Sequence, residues 1–113
     1  ETMDDATFKH YEARAQILKS LAHPSRLFII EKLQEKERSV GELTQLIGAD
    51  TSTVSKHLSV LKNTGLVYPR REGTTIYYAL KTPCILNLMD CVEEVLVANA
   101  DEHARIASTC RVC

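Results

Sequence analysis

Four cysteines, Cys84, Cys91, Cys110 and Cys113, all fall in the last third of the 113-residue chain. Thiolates are soft nucleophiles and soft ligands, so this grouping offers ion binding, sulfur exchange or redox chemistry. Cys84 and Cys91 are seven residues apart, which on a helix puts them on nearly one face but about 10 Å apart along the axis. Two thiolates holding one ion at about 2.3 Å must lie within about 4 Å of each other. One helix therefore cannot deliver both to a single ion, and a site needs Cys110 and Cys113, a second copy of the chain, or both. As packed residues, Cys84 and Cys91 would instead be small core hydrophobes. Cys110-x-x-Cys113 lies in a polar tail that gives it no packing role. A thiol oxidoreductase would place such a pair at the start of a helix beside a βαβ core, and no such unit is expected here.

A second chemistry is carried by charge. The net charge is −1, but residues 51–81 hold Lys56, Lys62, Arg70, Arg71 and Lys81 against Glu72 alone, a local +4. Acidic flanks surround this basic island, with −2 over residues 1–50 and −3 over residues 82–113. Such asymmetry points to a polyanion-facing surface. Within the island, Thr51-Ser52-Thr53-Val54-Ser55-Lys56-His57-Leu58-Ser59 has helical periodicity. Val54, Leu58 and Leu61 share one face, while Ser52, Ser55, Lys56 and Ser59 share the other. An ordinary solvent-facing helix would mix acids with bases for i,i+4 pairing. This face has hydroxyls and one cation, small enough to approach a phosphate-lined groove and donate hydrogen bonds to it. Thr51, Ser52 and Thr53 stand at the helix start, where free N–H groups favour phosphate. His57, at the edge of the apolar face, is better suited to packing than to base contact. Arg70 and Arg71 follow in a turn loop, where they can lie along a nucleic-acid backbone or enter a minor groove.

The elements that position these groups follow from punctuation and period. Phe8, Tyr11, Ala15, Leu18 and Ala22 form a helical stripe. Pro24 suits the first turn of a second helix, with Leu27, Ile30 and Leu33 inward. Lys36, Glu37 and Arg38 form a charged connection. Ser39 and Glu42 have capping-box spacing for a short third helix with Leu43, Leu46 and Ile47 buried, ended by Gly48. Thr51 or Ser52 caps the fourth helix, which runs to about Asn63 before Gly65. Residues 66–68 and 75–80 are strands, with 69–74 as the loop between them. A last helix covers about 83–105, with Ile85, Leu88, Met89, Val92, Val95 and Leu96 apolar, before the cysteine-containing tail 106–113. The order is αααα-ββ-α, mainly α with a β-hairpin, in one domain over 1–113. Apolar runs are too short for a transmembrane helix and no signal pattern opens the sequence, so a cytoplasmic protein with reduced thiols is expected.

These residues carry a resemblance. Ser20-Leu21-Ala22-His23-Pro24-Ser25-Arg26-Leu27, Leu43 through Ile47, Ser52 through Leu61, Gly65-Leu66-Val67, Arg70-Arg71-Glu72-Gly73 and Tyr77-Tyr78-Ala79-Leu80 are similar to the ArsR/SmtB family of bacterial repressors. The resemblance spans roughly residues 8–96. It implies a winged helix-turn-helix, a homodimer joined through the first and last helices, and operator DNA as partner, with no enzymatic activity and no membrane. It also implies release by a metal ion, a metalloid or a thiol-reactive signal.

Individual ligands of that family are missing here. The third helix lacks the Cys-x-Cys pair of many arsenic and cadmium sensors. At the ligand positions of zinc-type members stand Thr82, Cys84, Val95 and Ala98, of which only Cys84 can bind a metal. Antiparallel pairing of the last helices would bring Cys84 of one copy towards Cys110 and Cys113 of the other. Such a thiolate set, with Cys91 nearby, suits arsenite, antimonite or cadmium. Persulfide or peroxide acting on the same cysteines is the alternative, and no organic cofactor is implied. A winged helix serving only protein contacts would not need the hydroxyl-and-lysine face.

Overall fold

Apolar side chains at three- and four-residue spacing close a small helical core in the computed structural model, which describes residues 2–112 and the side chains of 2–105. The chain forms two compact units, residues 1–82 and 83–113. In the first, α1 (Asp5–Leu21) starts at Asp4, whose carboxylate accepts the Thr7 N–H at 2.8 Å. α2 (Pro24–Glu35) has Pro24 in its first turn, and His23 Nδ1 accepts the Ser25 N–H. Next come β1 (Arg38–Ser39), α3 (Val40–Ile47), α4 (Thr51–Asn63), β2 (Val67–Glu72) and β3 (Thr75–Leu80).

Ile29, Ile30, Leu33, Leu43, Val54, Leu58, Leu61, Leu66 and Val67 are buried among these elements. Ser39 and Glu42 close both halves of the capping box on α3, and Gly48 ends it at φ +78°, where a side chain would be strained. Thr64 donates to Ser20 Oγ at 3.1 Å, tying the end of α4 to the buried end of α1. These elements form a winged helix-turn-helix, with α3 and α4 as the helical pair and β2–β3 as the wing.

Several details depart from the sequence expectations. The connection after α2 contains a two-residue strand, so the order is ααβααββα and the sheet runs β1-β3-β2, antiparallel throughout. Arg70 and Arg71 do not sit in a loop. β2 continues through Pro69 to Glu72, because an edge strand tolerates the missing proline N–H. The turn shrinks to Gly73-Thr74, with Glu72 opposite Thr75 and Gly73 at φ +62°. A glycine at the first central position is what a tight hairpin of this handedness requires. Leu27 and Leu46 are not in the core, since the turn of α2 buries Ile29 and Ile30 and that of α3 buries Leu43.

The second unit is α5 (Ile85–Val112), entered through two i→i+3 bonds from Leu86 and Asn87 N–H to the Pro83 and Cys84 carbonyls. The helix starts two residues later than expected and continues to Val112, through a stretch whose sequence suggests a tail. Pro83 and Cys84 form the turn before it, and no glycine or proline after Pro83 interrupts it. Leu88, Val92, Val95 and Leu96 lie on one stripe, with Val92 and Val95 59% and 58% exposed.

Candidate nucleic-acid interface

The fourth helix holds the outward groups as its period requires. Val54, Leu58 and Leu61 are fully buried, which fixes its rotation and leaves Ser52, Ser55, Lys56 and Ser59 exposed along one line. Thr51 and Thr53 are exposed at its start. Lys56 forms no salt bridge within the described residues, so its charge is available to an outside anion.

The start of α4 is not the open phosphate cradle that the sequence suggested. Neither Thr51 nor Ser52 is the cap. Asp50 is, and its carboxylate accepts the Thr53 N–H at 2.7 Å. The Thr53 hydrogen bonds, chiefly from its backbone, hold the Asp50 carboxyl below the ordinary aspartate range, with a smaller contribution from the Lys56 charge. An ionised aspartate ahead of the free N–H groups opposes a phosphate there. Asp50→Ser keeps a good cap while removing that charge. Its duplex affinity at low salt should rise about two- to fivefold, with the gain shrinking as salt screens it. Titration at two ionic strengths checks this; an unchanged affinity would place the helix start away from DNA.

His57 is half-buried and packs on His23, ring centroids 4.4 Å apart, as a packing residue should. Burial, then the charges of His23 and Arg26, lower its pKa from the usual histidine value of 6.5. Arg26 Nε is itself buried without a hydrogen-bond partner in the described structure. Because the folded state disfavours protonation, the unfolded chain binds more protons once pH falls below 6.5. Stability is then lost with falling pH until the folded imidazole also titrates. The melting temperature should therefore decline as pH falls through 6.5, and His57→Gln should flatten that decline. An equal decline in the variant would rule out this origin. The depressed carboxyls of Asp4, Glu35 and Asp50 act separately, below their ordinary values of 3.8 to 4.5.

In the wing, strand alternation sends Arg70 and Arg71 to opposite faces. Arg71 is exposed and has no ion-pair partner in the described structure. Arg70 is engaged internally. Its Nε donates to Glu37 Oε1 at 2.7 Å, a terminal nitrogen donates to Glu72 Oε2 at 3.2 Å, and the guanidinium lies 5.2 Å from the Tyr77 ring centroid. The hydrogen bond to Glu37, then that to Glu72, raises the Arg70 pKa above the ordinary arginine value. Asp50, Glu37 and Tyr77 were all missed as members of this surface. Only Asp50 had a visible signal, as a good N-cap type three residues before Thr53.

The cysteines all fall in the second unit. Cys84 and Cys91 are free and exposed. By helical spacing Cys91 lies beside Val95 on the apolar stripe of α5, while Cys84 stands in the turn that leads into the helix. Among the described residues, no three His, Cys, Asp or Glu side chains converge to hold a metal ion. The Cys110 side chain and Cys113 lie outside the described residues. No helix among those described is long and apolar enough to cross a membrane.

The fold and the exposed recognition-type helix define a winged helix-turn-helix regulator. Residues 23–68 match the model of the bacterial regulatory protein arsR family. The uncharacterized HTH-type transcriptional regulator Rv0081 of Mycobacterium tuberculosis is 35% identical over 102 residues, covering 89% of this chain and 90% of its own. A biofilm growth-associated repressor of Xylella fastidiosa is 39% identical over 84 residues, 74% of each chain. The homodimeric winged helix-turn-helix DNA-binding domain of Mb0332 from Mycobacterium bovis superposes with a TM-score of 0.72 at 35% identity, covering 88% of this chain and 89% of that one. This chain belongs to the arsR family of bacterial regulatory proteins, whose members are transcriptional regulators and not enzymes.

Proposed function

We propose that the chain is a cytoplasmic homodimeric repressor that binds operator DNA and is released by chemistry at its thiols. The observation that carries the DNA reading is the exposed line Ser52, Ser55, Lys56 and Ser59 on a helix whose rotation is fixed by three fully buried side chains. That line enters a major groove, with Thr51 and Thr53 beside it and Arg71 of the wing on the flanking backbone. Arg70 belongs to the same wing. A dimer presents two such helices, so operator half-sites should repeat at about one helical turn of DNA. The homodimeric form of the Mycobacterium bovis relative and the repressor role of the Xylella relative support this reading.

The apolar faces of α1 and α5 are proposed as the subunit interface. Phe8, Tyr11 and Leu18 on α1, and Leu88, Val92, Val95 and Leu96 on α5, are large and exposed. So much apolar helical surface on a small chain marks an association site. Cys91 lies on this α5 face and Cys84 stands just before its first residue, so an ion or a sulfur bridge there would act where the two subunits would meet. Seven-residue spacing still keeps these two from sharing one ion, so Cys110 and Cys113, or the second subunit, would complete a site for arsenite, antimonite or cadmium. The exposure of Cys84 and Cys91 also favours a second reading, in which persulfide or peroxide modifies them directly.

The test uses a duplex selected from a random pool by the protein itself, followed by anisotropy. Arsenite or cadmium should displace the protein, with zinc much weaker, because no imidazole–carboxylate set replaces the thiols. Release by persulfide or peroxide alone would assign the thiols to redox chemistry. Retention under every thiophilic reagent would remove the inducer half of the proposal and leave the DNA half standing.

A further inference from the structure

Three consecutive residues after α2 bind three different parts of the first unit. Glu37 pairs with Arg70 of the wing. Arg38 donates to the Lys32 carbonyl at 3.0 Å and to Glu35 Oε1 at 2.7 Å, anchoring to the end of α2. Ser39 caps α3, the first helix of the helix-turn-helix.

Across the sheet, Arg70 stands opposite Tyr77, and Tyr77 stands opposite Ser39. To reach Glu37 the Arg70 side chain must cross β3, and two strand spacings amount to roughly 10 Å. It does so by lying over the Tyr77 ring. An arginine is long enough, and its flat guanidinium can stack and donate sideways at once. Beyond Val67, every residue of β2 is exposed, so little packing holds that edge strand in place apart from its ladder to β3.

We infer that Glu37 is a positioning residue for DNA binding: through Arg70 it ties the wing to the segment that enters the helix-turn-helix, leaving Arg71 as the wing arginine that meets phosphate. This rests on the DNA-binding reading above. Arg70 then sets the angle between wing and recognition helix without touching DNA, and Glu72 steadies its second side. Plain electrostatics predicts the opposite for Glu37, since removing an acid beside a polyanion should tighten binding.

The experiment compares operator affinity across a salt series for wild type, Glu37→Gln, Arg70→Gln, Arg71→Gln and the Glu37→Gln/Arg70→Gln pair. Melting curves serve as the fold control, and should shift little because the ion pair is exposed. Glu37→Gln is expected to weaken binding about three- to tenfold with an unchanged salt slope. Arg70→Gln should do the same, and the pair, which keeps the wild-type net charge, should be no weaker than either single change. Arg71→Gln should flatten the slope by about two units, one contact in each subunit of a dimer. Binding by Glu37→Gln as tight as wild type, or a slope loss of about two units in Arg70→Gln, would overturn the inference. Wild-type protein that shows no salt-dependent duplex binding would instead overturn the DNA-binding reading itself, and this inference with it.

Discussion

Replacing Val92 and Val95 together by aspartate is expected to leave a monomer at micromolar concentration and to weaken binding to a two-half-site duplex by at least about 100-fold. Both valines are more than half exposed on the α5 stripe with Leu88 and Leu96. If that stripe is the two-fold interface, each substitution appears twice, placing four carboxylates in an apolar seam. An unpaired carboxylate in such a place costs several kcal/mol unless it is neutralised. The loss for DNA is larger than any single contact, because a dimer engages its second half-site at high effective concentration. Sedimentation of the reduced variant should show a 12.7 kDa species where wild type shows twice that mass. A variant that stays dimeric would move the interface elsewhere.

The second large effect concerns release. Cys84→Ser, Cys91→Ser and the Cys110→Ser/Cys113→Ser pair should each retain operator binding, since none is among the residues proposed to meet DNA. At least one should lose its response to arsenite or cadmium. A ligand that favours the subunit arrangement with mismatched recognition helices 100-fold lowers operator affinity by about 2.7 kcal/mol, enough to empty an operator of moderate strength. Full induction in all three variants would reject the assignment of these cysteines.

Much of the scaffold was legible because it depends on short-range signals. Val54, Leu58 and Leu61 announce their face by spacing alone, and the Ser39–Glu42 box and Gly48 mark both ends of α3 through local backbone chemistry. β1 was not legible, since two residues become a strand only by pairing with Tyr77 and Tyr78, far along the chain. Arg70 and Arg71 looked like loop residues because Pro69 and Gly73 flank them, yet an edge position lets Pro69 stay in the ladder. Four successive residues, Asp50 to Thr53, are all of N-cap type, so composition could not choose among them. The tie between Glu37 and Arg70 spans 33 residues and depends on strand register, which no periodicity reveals. Exposure of Leu27 and Leu46 has the same origin, because helix rotation is set by what the neighbouring helices present.

In the proposed function, α4 and the wing bind duplex DNA through its phosphates as well as its groove. Operator affinity of the reduced wild-type protein, measured from low to above-physiological salt, tests it most directly. A dimer neutralising about 6–8 phosphates predicts a log–log slope of about −5 to −7, with Lys56→Ala weakening binding and flattening that slope. An affinity that stays flat across the same range, or a Lys56→Ala variant indistinguishable from wild type, would contradict the account.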